Sequence, residues 1–284
     1  MRAVLKPLPA AVGKEARGRV LVVGGSLRFP GALLLASRAA LRCGAGVVTA
    51  ATSHAVQSLV AGHDPNITFL PLAEAQPGVV AVAAAAQVAT ALREKTRALL
   101  VGPGLAHASG TDDFVAAVLR NARSVATVID ADGLNALART SDWSVLLPAR
   151  TVLTPHDGEA ARLAGRVVPT GAARIAFAER YAREWKAVVV LKGAVTVVSD
   201  GKRTFVHDAP NAALGIGGSG DALAGALAAF LARGLAPLGA ACAAVWVHGR
   251  AGALLAAEVG ESGALATDLV DALPRALREI VEGR

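Results

Sequence analysis

The sequence predicts an α/β fold in which a central, mostly parallel sheet carries helices on both faces. Three observations predict it. Short apolar runs alternate with Ala- and Leu-rich stretches along nearly the whole chain, the order that strand–helix–strand units require. The runs are continuously apolar, as in strands buried on both faces. Glycines and polar residues recur directly after the runs, where ligands sit in such sheets.

Residues 1–18 form a lead-in with Pro, Lys and Glu. Arg19–Val23 is a strand closed by Gly24-Gly25-Ser26. Pro30-Gly31 precedes GALLLASRAALRCG, a helix stopped by Gly44. Residues 47–51 are the next strand, Ser53 caps a short helix, and 67–70 form a weaker strand. An Ala-rich helix is expected over 79–93, then a strand at 99–101 closed by Gly102-Pro103-Gly104-Leu105. A helix over Thr111–Asn121 leads to a strand at 125–129, ending in Asp130-Ala131-Asp132-Gly133. Thr151–Leu153 is a strand ending in TPHDGE, and 171–185 is a helix. Residues 187–191 are a strand ending in Lys192-Gly193-Ala194. Residues 196–199 and 203–207 flank Asp200-Gly201 as a hairpin. NAALGIGGSGD then runs into ALAGALAAFLARG, a helix ending at Gly234, and helices over 237–258 and 268–281 finish the chain. With no linker, low-complexity segment or internal repeat, one domain over residues 1–284 is expected, without a further fused domain.

Composition narrows the function classes. The chain is 54% hydrophobic and 18% charged, enough to bury a large core; aromatics are only 4%, so Ala, Val and Leu must fill it. The net charge of +7 comes from scattered basic residues without an aromatic-interleaved stripe. That favours anionic small molecules over nucleic acid. Cys43 and Cys242 are far apart in apolar helical stretches, which reads as buried thiols in a reducing compartment. Lys6, Pro7 and Lys14 interrupt any signal-like region, and no uninterrupted apolar run reaches the ~20 residues of a membrane span. A cytoplasmic protein without a membrane segment is expected.

The stretch around which the chemistry is organised is Asn211 to Asp221. Gly217, Gly218 and Gly220 around Ser219 allow a sharp turn that gathers backbone N–H groups at a helix start, which suits a phosphate. Gly218, Ser219 and Gly220 are therefore the expected anion hole. Asp221, in the first turn, cannot ligate a phosphate without a cation; it is placed to take a proton from an attacking hydroxyl. The alternative is a helix start with a capping Ser and a dipole-complementing Asp.

Other clusters carry paired readings. Gly24-Gly25-Ser26 and the GPGL turn are either ligand approaches or plain turns. Asp130, Asp132 and Asn135 either hold a hydrated Mg²⁺ near phosphates or start a helix capped by Asp132. His156 contacts a polar ligand or lies on the surface. Lys192-Gly193-Ala194 offers a cation and a turn to a nucleotide. His248-Gly249 reads as a packing element in a helix. No zinc spacing, Walker-type loop or G-x-S-x-G elbow is present.

Taken together, GGS…PGA, GPGL, DADGLNAL, TPHDGEAARL, VVLKGAVTVV and NAALGIGGSGDALAG resemble the NAD(P)H-hydrate dehydratases of the ribokinase-like superfamily, from about Arg19 to the C-terminal helices. The resemblance implies a ribokinase-like sheet and a lyase that uses ADP to repair the S-form of hydrated NADH or NADPH. The ring hydroxyl is phosphorylated and phosphate then leaves, giving AMP and phosphate. It implies Ala32, Gly104, His156 and Asp221 as contacts to the hydrated dinucleotide, with Asp221 catalytic. It implies Lys192, Gly193, Ala194, Val195, Thr196 and Gly220 as contacts to ADP or AMP. It also implies Mg²⁺, a homotetramer and a separate epimerase. Ser219 stands where many members have Thr, and residues 63–66 (HDPN) replace a Pro-Glu. The runner-up is a ribokinase-like kinase of a vitamin precursor, a hydroxymethylpyrimidine or hydroxyethylthiazole.

Overall fold

The computed structural model describes residues 11–282 together with Leu5 and Pro7, so most of the start of the lead-in lies outside the described residues. In chain order the elements are α1 (Lys14–Arg17), β1 (Arg19–Val23), α2 (Pro30–Arg42), β2 (Val47–Ser53), α3 (His54–Val60), β3 (Thr68–Leu72), β4 (Glu74–Gln76), β5 (Val79–Val80), α4 (Ala85–Arg93), β6 (Thr96–Val101), α5 (Thr111–Asn121) and β7 (Ala126–Ile129). There follow α6 (Asp132–Arg139), β8 (Thr151–Leu153), α7 (Asp157–Ala164), α8 (Ala172–Trp185), β9 (Val188–Leu191), β10 (Val195–Ser199), β11 (Thr204–Asp208), α9 (Ser219–Ala232), α10 (Pro237–Val259) and α11 (Ala266–Glu282).

Nine strands form one sheet in the order β11-β10-β9-β8-β7-β6-β1-β2-β3. It is parallel from β3 to β9; β10 is antiparallel to β9 and β11 to β10, so only β10 runs against the rest, and β10 and β11 form the expected hairpin. The chain builds outward from β1 to β3, then returns to the other side of β1 with β6. The strand order reverses between β1 and β6, the position where open α/β sheets form a ligand crevice.

Successive residues of each strand point to opposite faces. Val20, Val22, Val48, Ala50, Ala98 and Leu100 join the core under α2, α9, α10 and α11. Leu21, Val23, Ala51, Leu99 and Val101 join the core under α4 to α8. The first core is dominated by Ala: in α9 every residue from Ala222 to Ala232 is buried. α2 crosses α9 so closely that a Cβ on Gly225 would overlap the Ala36 carbonyl oxygen. Only glycine permits that approach. The second core holds most of the buried rings, Phe114, Phe177, Tyr181 and Trp185, whereas Phe230 lies in the first. Cys43 is fully buried in the Ala-rich core and Cys242 packs against it, and both are free thiols.

Two expectations change. The helix expected over 79–93 starts only at Ala85, because β-branched Val79 and Val80 pair back on Glu74–Gln76 as a small hairpin. The Glu74 carboxylate accepts from Gly78 N–H at 2.9 Å and fixes that turn. TPHDGE also continues into a helix, α7, which its polar, glycine-containing first turn disguised. His156 and Glu159 close a capping box there. Among the described residues one helix, α10, is long and apolar enough to cross a membrane by composition, at mean hydropathy 1.3. Half of its most apolar window is buried inside the fold, and the helix carries His248 and Arg250.

Candidate active site

The loops after β7, β8 and β9 and the start of α9 meet at the carboxyl ends of the strands. Gly218 is the N-cap of α9, with a left-handed φ of 93° that costs glycine little, and Ser219 is its first helical residue. The expected capping Ser is absent: Ser219 makes no cap bond and is turned instead to His248 of α10. His248 Nε2 lies 3.0 Å from both the Ser219 carbonyl and its hydroxyl oxygen. A carbonyl can only accept, so Nε2 carries the proton, and the Ser219 hydroxyl keeps its own proton for another acceptor. Burial lowers His248 to about 4, so the ring is neutral. The packing role expected for His248 is thus correct but incomplete, since it also supports the expected anion hole.

Lys192, at the end of β9, reaches across to β7. Its ammonium donates to Asp130 Oδ1 at 2.7 Å and lies 3.9 Å from Glu159 Oε2. Thr154 donates to the same Asp130 oxygen at 2.7 Å. Burial works against the charged form of Lys192, but Asp130 and Glu159 outweigh it and hold its pKa above the ordinary value. A Cβ placed on Gly220 would stand 3.5 Å from the Lys192 nitrogen, so this charge sits at the first turn of α9.

Asp221 is in that same turn. Burial, then the Asp130 carboxylate, push its pKa up to about 7 against the pull of Lys192. Burial likewise raises Glu159 to about 7, with Lys192 pulling the other way. Three carboxyl groups therefore share one ammonium. Two of them are poised to change protonation near neutral pH, the property a general base needs.

Asp132 and Asn135 do not gather with Asp130. Ala131, not Asp132, is the N-cap of α6, and its φ of 48° is unfavourable for an alanine. That backbone twist sends Asp130 to Lys192 and Asp132 to the Ala106 N–H at 2.8 Å. Asn135 bonds Asp132 and Arg162. Among the described residues no three His, Cys, Asp or Glu side chains form a metal-ligand group. The carboxylates in excess over cations do fit a divalent ion that enters with phosphate oxygens and water as its main ligands.

A cavity of about 680 Å³ opens beside these groups, a size typical of a small-molecule site. Its polar end is lined by His156, Lys192, Gly193, Ala194, Thr196, Ser219 and Gly220. Its apolar wall comes from Pro210, Leu214, Ile216, Leu223 and Val245. An apolar slot ending at a helix N-terminus and a lysine suits a base at one end and phosphates at the other. Val195, the first residue of β10, is not among the lining residues, although its neighbours Ala194 and Thr196 are.

Ala32 and Gly104 form a separate pair: a Cβ on Gly104 would come 2.9 Å from that of Ala32. They belong to the loops after β1 and β6, which are tied by Gly25 N–H to the Pro103 carbonyl at 2.8 Å. They do not line the cavity. His156 is 55% exposed and lines the cavity, and its Nδ1 has a structural task that neither reading expected: it accepts from Gly158 N–H at 3.0 Å and caps α7. Burial and then Lys192 lower its pKa, and with Nδ1 occupied as an acceptor the neutral ring presents Nε2–H as a donor. The HDPN segment lies elsewhere, where Asp64 accepts from Asn66 N–H and faces Arg38 of α2. Sequence reasoning missed Glu159 and Arg174 as parts of the site. The i, i+3 spacing of His156 and Glu159 signalled a capping box, and the position of Arg174 on the outer α8 gave no signal.

The family model described as NAD(P)H-hydrate dehydratase matches residues 20–275. The chain belongs to this family. It is 39% identical over 283 residues to the ADP-dependent (S)-NAD(P)H-hydrate dehydratase of Xanthomonas campestris, covering 98% of this chain and 94% of that protein. It is 40% identical over 290 residues to the bifunctional NAD(P)H-hydrate repair enzyme Nnr of Moorella thermoacetica, covering 99% of this chain and 53% of that protein. The chain thus spans about half the length of its bifunctional relatives. In structure it is similar to the ADP/ATP-dependent NAD(P)H-hydrate dehydratase of Bacillus subtilis co-crystallized with ATP/Mg²⁺. That match has a TM-score of 0.80 and 32% identity, over 98% of this chain and 95% of the other. The expected ribokinase-like architecture is confirmed.

Proposed function

We propose that this member of the dehydratase family converts the S-form of hydrated NADH or NADPH back to the reduced dinucleotide at the expense of ADP. The observation that carries the reading is the convergence of Lys192 and the start of α9, Ser219 and Gly220, at the polar end of one cavity, with Asp221 in the same first turn. ADP lies with its base against the apolar wall and its phosphates toward Lys192 and Gly220 at the start of α9; of the expected anion hole, the Ser219 N–H is held by the Ile216 carbonyl at 3.3 Å. Asp221 takes the proton from the ring hydroxyl as its oxygen attacks the β-phosphorus, and the bond from that phosphorus to the AMP oxygen breaks. The helix start and the Lys192 ammonium stabilise charge on the transferring group. The ring carbon–oxygen bond then breaks, phosphate leaves with the electron pair, and the adjacent carbon loses a proton to restore the double bond. Phosphorylation is needed because hydroxide is a poor leaving group. Mg²⁺ bound to the phosphates would neutralise charge, beside the carboxylates of Asp130, Glu159 and Asp221. His156 Nε2–H offers the dinucleotide a hydrogen bond, and Ala32 with Gly104 forms its second contact.

The test mixes purified protein with hydrated NADH, Mg²⁺ and either ADP or ATP, and follows the absorbance of reduced nicotinamide. Recovery with ADP and release of AMP support the reading. Accumulation of a stable phosphorylated product would point to a vitamin-precursor kinase instead. The same reading carries a homotetramer in the cytoplasm, working with a separate epimerase; light scattering checks the tetramer.

A further inference from the structure

Arg174 stands in the first turn of α8, outside every motif that marks the family in this sequence, and only 8% of it is exposed. All three of its nitrogens are committed. Nε donates to the Val195 carbonyl at 3.2 Å. Nη2 donates to the carbonyls of Lys192 at 2.7 Å and Leu191 at 3.4 Å. Nη1 pairs with Asp157 Oδ1 at 2.5 Å. The guanidinium lies directly behind the turn: a Cβ on Gly193 would approach Nη2 to 2.7 Å. The same turn is tied to the His156 loop by Lys192 N–H donating to the Pro155 carbonyl at 2.8 Å.

We infer that Arg174 is a positioning residue for the nucleotide: it draws three carbonyls, from the end of β9, the turn and the start of β10, onto itself, away from the cavity, and locks the 191–195 turn to the His156 loop. The inference rests on the proposed reading of this cavity as the ADP site. The electrostatics give the reason. A carbonyl oxygen facing the cavity would repel a phosphate, whereas carbonyls held on a buried cation leave Lys192 and the helix N-terminus as the charges the phosphates meet. Lysine cannot replace this group, because its one nitrogen cannot reach acceptors that a planar fork serves at three separate corners.

The same helix supplies a control. Arg183, at the opposite end of α8, also donates to a loop carbonyl, that of Gly201 at 2.7 Å, far from the cavity. The experiment measures ADP binding by calorimetry, and KM for ADP and kcat, for the wild type, Arg174→Ala, Arg174→Lys and Arg183→Ala. Both Arg174 variants are expected to weaken ADP about tenfold or more, with kcat at saturating ADP within about threefold of wild type. Arg183→Ala is expected to leave ADP binding within about twofold. Methylguanidinium should restore part of the affinity of Arg174→Ala and none of that of Arg174→Lys, whose side chain fills the site. If Arg174→Ala does not fold, Arg174→Lys decides. Wild-type affinity in either Arg174 variant overturns the inference, as does an equal loss in Arg183→Ala, which would mean that only helix docking matters. A wild type that binds no ADP overturns the nucleotide reading itself, and this inference with it.

Discussion

The two faces of the sheet are packed in opposite ways, and the candidate site takes one half from each. Under α2, α9, α10 and α11 Ala is the commonest core residue, and helices approach until Gly225 rests on the Ala36 carbonyl. Under α4 to α8 it is filled by Phe114, Phe177, Tyr181 and Trp185, with Trp143 edge-on to Trp185 at 5.1 Å. The Ala face delivers the start of α9, so it fixes the Gly218–Gly220 turn and Asp221 by backbone proximity. The aromatic face delivers α7 and α8, so it fixes His156, Glu159 and Arg174 through side chains. A face built by close approach tolerates no added volume, and a face built by large rings tolerates no removed volume.

The largest expected effect comes from adding volume to the Ala face. Gly225→Leu must separate α2 from α9 and should cost ~5 kcal/mol or more, comparable to a domain's whole stability, seen as loss of a cooperative thermal transition. A variant that melts like the wild type would break the comparison. Next is removal of volume from the aromatic face. Phe114, 1% exposed, should cost about 3–5 kcal/mol on replacement by Ala, read by urea unfolding. Because Phe114 supports no part of α9, kcat at 25 °C should stay near the wild-type value.

Third is Asp221→Asn, which alters chemistry without altering packing. Turnover should fall at least about a hundredfold while nucleotide still binds, measured by single-turnover kinetics. Unchanged turnover would sink the role given to Asp221. The same variant should be more stable at pH 8. Asp221 is raised to about 7 in the fold, so its ionisation there costs on the order of 2–4 kcal/mol that Asn avoids. A thermal melt at pH 8 checks the sign.

The smallest effect is a pH slope. His248 is lowered by burial to about 4, so the stability it contributes is complete above its unfolded pKa and is lost as pH falls through the folded value. Asp221 and Glu159, both raised to about 7, act with the opposite sign. They favour the fold at low pH and lose that contribution as pH rises from the ordinary carboxylate range to neutrality. Between about pH 4 and 6.5 these slopes oppose one another, and Asp221→Asn should tilt the balance. Its stability should rise with pH more steeply than that of the wild type, by up to ~1.4 kcal/mol per pH unit. Parallel curves for the two proteins would remove the coupling.

The sequence by itself determined the alternation of strands and helices, because buried parallel strands read as unbroken apolar runs and α9 as an Ala-Leu run after a glycine turn. It also marked Asp221, Lys192, His156 and the Gly218–Gly220 turn, since glycines and charges directly after strands have few other uses. The helix of TPHDGE was hidden because its cap is a histidine and its first turn is polar. The Val79–Val80 hairpin was hidden because two residues carry no period. What only the tertiary structure decided is which charges meet. Asp130, Glu159, Lys192 and Asp221 come from four separate elements, and their sharing of one ammonium is a fact of strand order, not of spacing. The twist at Ala131, the seat of Ser219 on His248 and the hold of Arg174 on three carbonyls are likewise contacts between distant segments. Local sequence sets backbone preference and periodicity, but burial and Coulomb interactions depend on neighbours that only the folded chain brings together.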